Sequence, residues 1–168
     1  MGKVLPYRHS IRLPDFDYSS SNWYYVTICI QDRECLLGKI VHGNVYLLPF
    51  GHLVKSFFTS ISQHYPGVNI EVFQIMPNHI HAIINLNLNG RTRGSAPTLG
   101  TMVQRFKTKT THDYMEGITT YGWKSFNKKL WQRDYYEHIV RDEKDLIRVR
   151  EYIQNNPVNW KKDKLHRM

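Results

Sequence analysis

The run Met76-Pro77-Asn78-His79-Ile80-His81 places two histidines one residue apart, at the start of a segment whose pattern predicts a buried strand. Successive strand side chains point to opposite faces, so His79 and His81 share one face while Ile80 turns into the core. Two neutral imidazoles at this spacing can bind one divalent metal ion. Half-exposed strand histidines with ordinary hydrogen bonds give the same pattern, so the motif alone leaves both interpretations open.

A second group of polar residues closes a helix that we predict over 142–155. Asp142 can cap its start, with Asp145 three residues later, and Pro157 marks its stop. Tyr152 and Asn156 are four residues apart, so a phenol and an amide oxygen project together from the last turn. Taken alone, Tyr152 could equally be a packing aromatic and Asn156 an ordinary residue of a helix C-terminus.

The charge balance indicates the class of partner. Lys and Arg total 23 against 14 Asp and Glu, a formal net charge of +9 on 168 residues with a sequence pI near 9.6. Such a balance is typical of nucleic-acid binders, although a solvated basic surface is the alternative. The sequence has no isolated basic amphipathic helix that would favour a membrane surface. The candidate DNA-binding residues are spread along the chain: Arg91, Arg93, Arg105, Lys107, Lys109, Lys128 and Lys129.

Length and composition set further bounds on the class of protein. A chain of 168 residues with 41% hydrophobic content suits a single domain over 1–168, and no stretch is long and apolar enough to span a membrane. The N-terminal residues lack the hydrophobic region of a signal peptide, so we predict a cytoplasmic protein. Cys29 and Cys35 are the only cysteines and are expected to be free thiols.

The order of predicted elements points to one fold class. Strand, helix, strand, strand, helix, strand resembles an α+β sandwich of the ferredoxin-like or RRM-like type, an antiparallel sheet with helices on one face and the other face open. A polar loop is expected over 87–96. The predicted strands are 23–31, 36–41, 44–48, 68–76, 79–86 and 135–140, and the predicted helices are 49–64, about 98–115, and 142–155.

Three ordered motifs resemble the successive signatures of REP-associated tyrosine transposases. This branch belongs to the single-tyrosine, HUH-type DNA-strand transferases, where HUH stands for His, hydrophobic residue, His. Asp17-Tyr18-Ser19 is also similar to the N-terminal region of the family, and the resemblance extends over roughly residues 8 to 160. The three motifs are Met76-Pro77-Asn78-His79-Ile80-His81, then Leu130-Trp131-Gln132-Arg133-Asp134-Tyr135-Tyr136-Glu137-His138-Ile139-Val140-Arg141-Asp142, then Tyr152-Ile153 with Asn156-Pro157-Val158.

The resemblance implies a role for each matching residue. His79 and His81 would hold the catalytic divalent ion, Mg²⁺ or Mn²⁺, and Asn156 would supply an amide-oxygen ligand, so that all three ligands are neutral. Tyr152 would be the nucleophile that forms a 5′-phosphotyrosine with single-stranded or hairpin DNA. We expect that the protein uses no nucleotide cofactor and does not bind a membrane. Both a monomer and a homodimer fit the wider class.

Two alternatives stay open on the sequence alone. Glu137 and His138, beside Tyr135 and Tyr136, could support the metal site, or they could form an internal hydrogen-bonded network. A catalytically silent nucleic-acid-binding module or repressor could also use this fold. Tyr152 argues against such a module, because binding alone requires no nucleophile.

Overall fold

The structure of the protein is a computed structural model that describes residues 22–87 and 98–166. The sequence predictions for Asp17-Tyr18-Ser19, for the loop that begins at 87, and for Arg91 and Arg93 fall largely or wholly outside these residues. The elements in chain order are β1 (Asn22–Cys29), β2 (Gly38–Val41), β3 (Asn44–Leu47), α1 (Pro49–His64), β4 (Val68–Ile75), β5 (His79–Leu86), α2 (Leu99–Tyr121), β6 (Tyr136–Ile139) and α3 (Glu143–Asn155).

The main sheet has four strands in the order β4-β5-β1-β6, and every neighbouring pair is antiparallel. Helix α1 follows β1 and its small β2-β3 hairpin, and α2 connects β5 to β6. This order is the one expected for a ferredoxin-like sandwich, so the predicted α+β fold class and the antiparallel sheet are confirmed.

The first face of the sheet carries the larger core. Alternate side chains of β1 and β5 point to this face, where they pack against apolar residues of α1 and α2. On β5 these are Ile80, Ala82 and Ile84, all fully buried. The prediction that Ile80 turns into the core is therefore confirmed, and His79, His81 and Ile83 must lie on the opposite face.

The opposite face is not open, which corrects one part of the predicted arrangement. Val149 and Ile153 of α3 pack against Ile83, and the side chain of Leu146 joins this smaller cluster. The reason is that α3 carries an apolar stripe at helical spacing, which must be buried against an apolar surface. Because of this packing, α3 lies across the face of the sheet that carries the two histidines.

The ends of the helices follow local chemistry. Helix α3 begins after Asp142, whose side chain accepts a hydrogen bond from the Asp145 backbone N–H at 2.8 Å, as predicted. Helix α2 continues to Tyr121, beyond the predicted end at 115, and stops at Gly122, which has φ 68° and forms a left-handed C-cap. Within residues 22–87 and 98–166, no helix is long and apolar enough to cross a membrane.

The attachment of α3 to the sheet can be tested at Ile153, which is 0% exposed. Ile153→Ala should lower the free energy of unfolding by about 2–5 kcal/mol, because it leaves a cavity between α3 and Ile83. Ile147→Ala is the matched control in the same helix, since Ile147 is 43% exposed, and it should change stability by about 0.5 kcal/mol or less. Urea denaturation measures both changes, and equal effects would contradict this packing.

Candidate active site

The two predicted histidines lie side by side near the N-terminal end of β5. His79 and His81 are 0% and 1% exposed, and their Nε2 atoms are 2.9 Å apart. β5 is an inner strand between β4 and β1, so its backbone holds both side chains at a fixed spacing. The prediction that the imidazoles share one face of a buried strand is confirmed.

Asn78 fixes the tautomer of His79. The Asn78 side-chain nitrogen donates to the backbone carbonyls of Arg33 and Leu165, at 3.1 and 2.9 Å. Its oxygen must therefore accept the 2.8 Å hydrogen bond from His79 Nδ1. With the proton on Nδ1, the His79 Nε2 atom keeps its lone pair and faces His81.

Two hydroxyl groups of β1 orient His81. Thr27 lies directly opposite His81 in the β1-β5 register, and its Oγ1 is 2.9 Å from His81 Nδ1. The Tyr25 hydroxyl is also 2.9 Å from this nitrogen, and Thr27 Oγ1 donates to that hydroxyl at 3.2 Å. A hydroxyl can either donate or accept, so it can hold Nδ1–H when Nε2 binds an ion.

The environment keeps both imidazoles neutral. Burial, assisted by the positive charge of Arg33, lowers the pKa of His79 to about 3. Burial also lowers the pKa of His81 to about 3, with a further contribution from His79 and an opposing one from Asp163. Neutral imidazole is the form that binds metal ions, so the pair is prepared for a cation at neutral pH.

Two buried oxygen atoms complete the group of potential ligands. Asn156 Oδ1, from the residue that caps α3, and Asp163 Oδ2 are both buried and have no hydrogen-bond partner within the described residues. Asp163 Oδ2 is 3.9 Å from His79 Nε2. Burying an acceptor without a hydrogen bond costs free energy of folding, unless an ion or a water molecule contacts it. The two oxygen atoms are therefore a physical argument for a cation at this position.

The donor set fits a divalent cation. The ligand atoms of His79, His81 and Asp163 all lie within 4.8 Å of one another. Imidazole nitrogen together with carboxylate and amide oxygen suits ions such as Mn²⁺, and the oxygen donors also suit Mg²⁺. The expectation of three neutral ligands stays a prediction; if Asp163 also bound the ion, its carboxylate would add a negative charge.

Tyr152 lies beside this group in the same chain. Its ring centroid is 5.4 Å from that of His81 and 6.2 Å from that of Tyr25, and the side chain is 49% exposed. Partial burial and the negative charge of Asp163 raise the pKa of Tyr152, while hydrogen bonding with Asn156 and Tyr25 opposes the rise. The predicted nucleophile and the predicted metal ligands therefore meet in one chain.

A cavity of about 700 Å³ opens over Tyr152 and over three of the metal-ligand candidates, His81, Asn156 and Asp163. Its walls come from β1, β5 and α3, from the segment before β6, and from residues after α3. Tyr136 lies on its rim, is 59% exposed, and packs edge-on against Tyr25 at 5.9 Å. The lining residues are Tyr25, Thr27, Cys29, His81, Gln132, Asp134, Tyr135, Tyr136, Tyr152, Asn156, Asn159, Lys162, Asp163, Lys164 and Leu165.

The two possible supporting residues take other positions. His138 Nε2 contacts Asp145 Oδ2 at 2.6 Å, which ties β6 to the first turn of α3. Glu137 lies opposite Val26 in the register, so it points to the face of the sheet that α1 and α2 cover. The contact of His138 with Asp145 fits the internal-network alternative better than support of the metal site.

Four of the seven predicted DNA-binding residues are exposed and fall into two groups. Arg105 and Lys109 are exposed on α2, on the opposite side of the sheet from Tyr152; Arg105 lies over the Tyr65 ring at 5.5 Å, and Lys109 pairs with Asp113 at 2.5 Å. Lys128 and Lys129 are exposed between α2 and β6 and line a second cavity of about 510 Å³, which shares Gln132 with the first.

Lys107 differs from the other predicted DNA-binding residues in its hydrogen bonds. Its ammonium is turned inward and donates to the backbone carbonyls of Gln132, Arg133 and Asp134. Burial lowers the pKa of Lys107 to about 8, although the nearby Asp134 carboxylate opposes that shift. In this conformation Lys107 holds the chain before β6, while its half-buried side chain also lines the second cavity beside Lys128 and Lys129.

Sequence reasoning missed three side chains of this site. Tyr25 and Thr27 were recognised only as strand residues, because their contact with His81 depends on a strand register that the sequence does not state. Asp163 was missed because it stands alone between lysines, and its one available signal was a single acidic residue in an otherwise basic run.

Comparison with known proteins first identifies a family. Residues 19–156 match the profile of the family described as "Transposase IS200 like". An uncharacterized protein of Haemophilus influenzae is 39% identical over 178 residues, covering 95% of this chain and 93% of the relative. A second Haemophilus influenzae protein, described provisionally as a REP-associated tyrosine transposase, is 27% identical over 150 residues. This match covers 84% of this chain and 73% of the relative.

Two solved structures resemble the fold. One is a REP-associated tyrosine transposase bound to a REP hairpin, with a TM-score of 0.61, 19% identity, and coverage of 91% of this chain and 76% of that chain. The other, from Deinococcus radiodurans, is described provisionally as a transposase. Its TM-score is 0.51 and its identity 14%, and the match covers 92% of this chain and 97% of that chain. At these identities the likeness supports the fold and nothing finer.

The tie between β6 and α3 gives a prediction for stability. Hydrogen bonds from Arg148, from His138 and from the Arg141 backbone lower the pKa of Asp145 to about 2. Because the pKa in the folded state is lower than the ordinary aspartate value of 3.8, the ionised carboxylate stabilises the protein at pH values above 3.8. This stabilisation is lost as the pH falls toward 2. Asp145→Asn should therefore reduce the free energy of unfolding by about 1–2 kcal/mol at pH 7 and remove this pH dependence.

Glu143→Gln is the control, because Glu143 is an exposed acid of the same first turn, and it should change stability by a few tenths of a kcal/mol. Denaturant titrations at pH 7, 4 and 2.5 compare the proteins. A difference between wild type and Asp145→Asn that stays constant from pH 4 to 2.5 would contradict the assigned role of the carboxylate.

Proposed function

We propose, for a chain that belongs to the IS200-like transposase family, that it cleaves and rejoins single-stranded DNA at hairpin-forming sequences through a covalent 5′-phosphotyrosine. The observation that carries this proposal is the meeting of Tyr152, His81 and two unpartnered oxygens around one cavity, with His79 in contact with His81 behind them. A module that only binds nucleic acid needs none of these groups at that spacing.

Tyr152 is the proposed nucleophile. Its phenolic oxygen forms a bond to the scissile phosphorus, the bond from phosphorus to the 3′ oxygen breaks, and the leaving 3′ hydroxyl takes up a proton. The raised pKa of Tyr152 means that its own proton must leave as attack proceeds. The phosphotyrosine retains the phosphodiester bond, so attack by another 3′ hydroxyl reverses the step without a nucleotide cofactor.

His79, His81, Asn156 and Asp163 would together hold a divalent ion, Mg²⁺ or Mn²⁺. Such an ion would act as a Lewis acid on the scissile phosphate when bound. The protein's own contribution is to orient the ligands, because Asn78 directs the lone pair of His79 and the β1 hydroxyls hold His81. Outer partners of this kind commonly change metal affinity by about 10- to 100-fold.

DNA is the proposed partner, and a solved relative with this fold is bound to a REP hairpin. The exposed ring of Tyr136 at the rim of the cavity offers a stacking surface for an unpaired base. Lys128 and Lys129, in the adjoining cavity, would contact phosphates, and Arg105 and Lys109 would do so if the DNA extends beyond that cavity. Arg91 and Arg93 are further candidates from the sequence alone. The candidate site is complete within one chain, which supports a monomer as the smallest active unit.

Tyr152→Phe tests this proposal. The variant removes one oxygen and almost no packing volume, so it should fold and bind a hairpin oligonucleotide with an affinity within about twofold of wild type. Covalent adduct should fall by at least about 10³-fold, because the attacking atom is gone. The measurement is intact-protein mass spectrometry after incubation with the oligonucleotide and Mg²⁺ or Mn²⁺.

Tyr136→Phe is the matched control, since Tyr136 lines the same cavity and is equally a tyrosine. It should keep at least half of the adduct. An adduct that persists in Tyr152→Phe, or that maps to another tyrosine, would contradict the assignment. Tight hairpin binding without any adduct in wild type would favour the silent binding module.

A further inference from the structure

The ammonium of Lys107 is fully occupied by the backbone. It lies 2.8 Å from the carbonyl oxygen of Gln132, 3.1 Å from that of Arg133 and 3.2 Å from that of Asp134. A lysine ammonium has three N–H donors, so these three acceptors use all of them. The cation also lies 5.6 Å from the centre of the Tyr135 ring. A phosphate could be bound only at the expense of these contacts.

The bound segment is a wall of the proposed reaction cavity. Gln132, Asp134 and Tyr135 line that cavity. Gln132 also lines the second cavity, together with Lys128, Lys129 and Lys107 itself. Three successive carbonyl dipoles that converge on one point repel each other unless a cation lies between them. The described contacts give this segment one further backbone tether, from the Gln132 N–H to the Cys29 carbonyl at 2.9 Å.

We propose that Lys107 is a positioning residue: its ammonium on α2 holds the 132–134 segment as the wall between the reaction cavity and the adjoining basic cavity, and it does not bind DNA phosphate. This inference rests on the proposed function, because it assigns the wall a role in placing the DNA strand against Tyr152. Small displacements of a reacting group can slow a reaction by about 10²-fold.

Lys107→Met tests the inference, because methionine keeps an unbranched stem and removes the charge and all three donors. Lys55→Met is the matched control; it removes the same charge from an exposed lysine of α1 that is not among the proposed DNA contacts. Thermal unfolding should first establish that both variants fold. If Lys107→Met does not fold, Lys107→Arg replaces it, since a planar guanidinium keeps the charge but cannot reproduce the three-carbonyl geometry.

Three readouts separate a wall support from a phosphate contact. In Lys107→Met, amide hydrogen exchange over 132–135 should become about 10-fold faster or more, because the segment loses its cation. Cleavage at saturating hairpin DNA should slow by about 10- to 100-fold. The slope of log K against log salt for DNA binding should equal that of wild type. Lys55→Met should leave the exchange over 132–135 and the cleavage rate within about twofold of wild type.

Two results would overturn the inference. The first is a slope of log K against log salt that is smaller in magnitude by about 0.7 in Lys107→Met, with unchanged amide hydrogen exchange over 132–135. This result would identify Lys107 as a phosphate contact. The second is faster exchange over 132–135 with an unchanged cleavage rate, which would show that the wall does not position the strand. Absence of cleavage by wild type would contradict the proposed function instead, and the exchange and salt-slope measurements would still decide whether Lys107 holds the wall or binds phosphate.

Discussion

The pairing of β5 between β4 and β1 is the constraint on which the candidate site depends. An inner strand is fixed by hydrogen bonds on both edges, and β5 is buried on both faces along nearly its whole length. Its alternation sends Ile80 into the larger core and holds His79 and His81 against the opposite face. A slip of one residue would exchange these sets, placing imidazoles in the apolar core, so the burial of Ile80, Ala82 and Ile84 enforces the position of the histidines.

The same face must also receive α3, because its apolar stripe has no other described surface to cover. Packing of Val149 and Ile153 on Ile83 brings the last turn of the helix beside His81, and so places Tyr152 and Asn156 there. A hydrophobic contact thus determines where the proposed nucleophile lies. The unpartnered oxygens of Asn156 and Asp163 then remain as polar groups that ordinary packing does not explain.

Local patterns in the sequence were sufficient to predict what depends on local chemistry. The shared face of His79 and His81 follows from strand alternation, and the start of α3 follows from the cap at Asp142. Contacts between distant segments were not predictable in this way. Tyr25 contacts His81 only through the β1-β5 register, Asp163 arrives from a short run beyond α3, and Lys107 is turned inward by carbonyl groups 25 and more residues away. From its charge alone Lys107 was expected to contact DNA; its three bonds to backbone carbonyls depend on how the chain before β6 packs on α2.

We infer that β5 and the end of α3 build one metal centre beside Tyr152 within a single chain. Anomalous diffraction from crystals soaked in Mn²⁺ would locate the ion. A peak should lie within about 2.0–2.5 Å of the Nε2 atoms of His79 and His81, with an oxygen of Asn156 or Asp163 also in contact. A peak only at the exposed cluster of His112, Asp113 and Glu116 on α2, or no peak at the paired histidines, would contradict it.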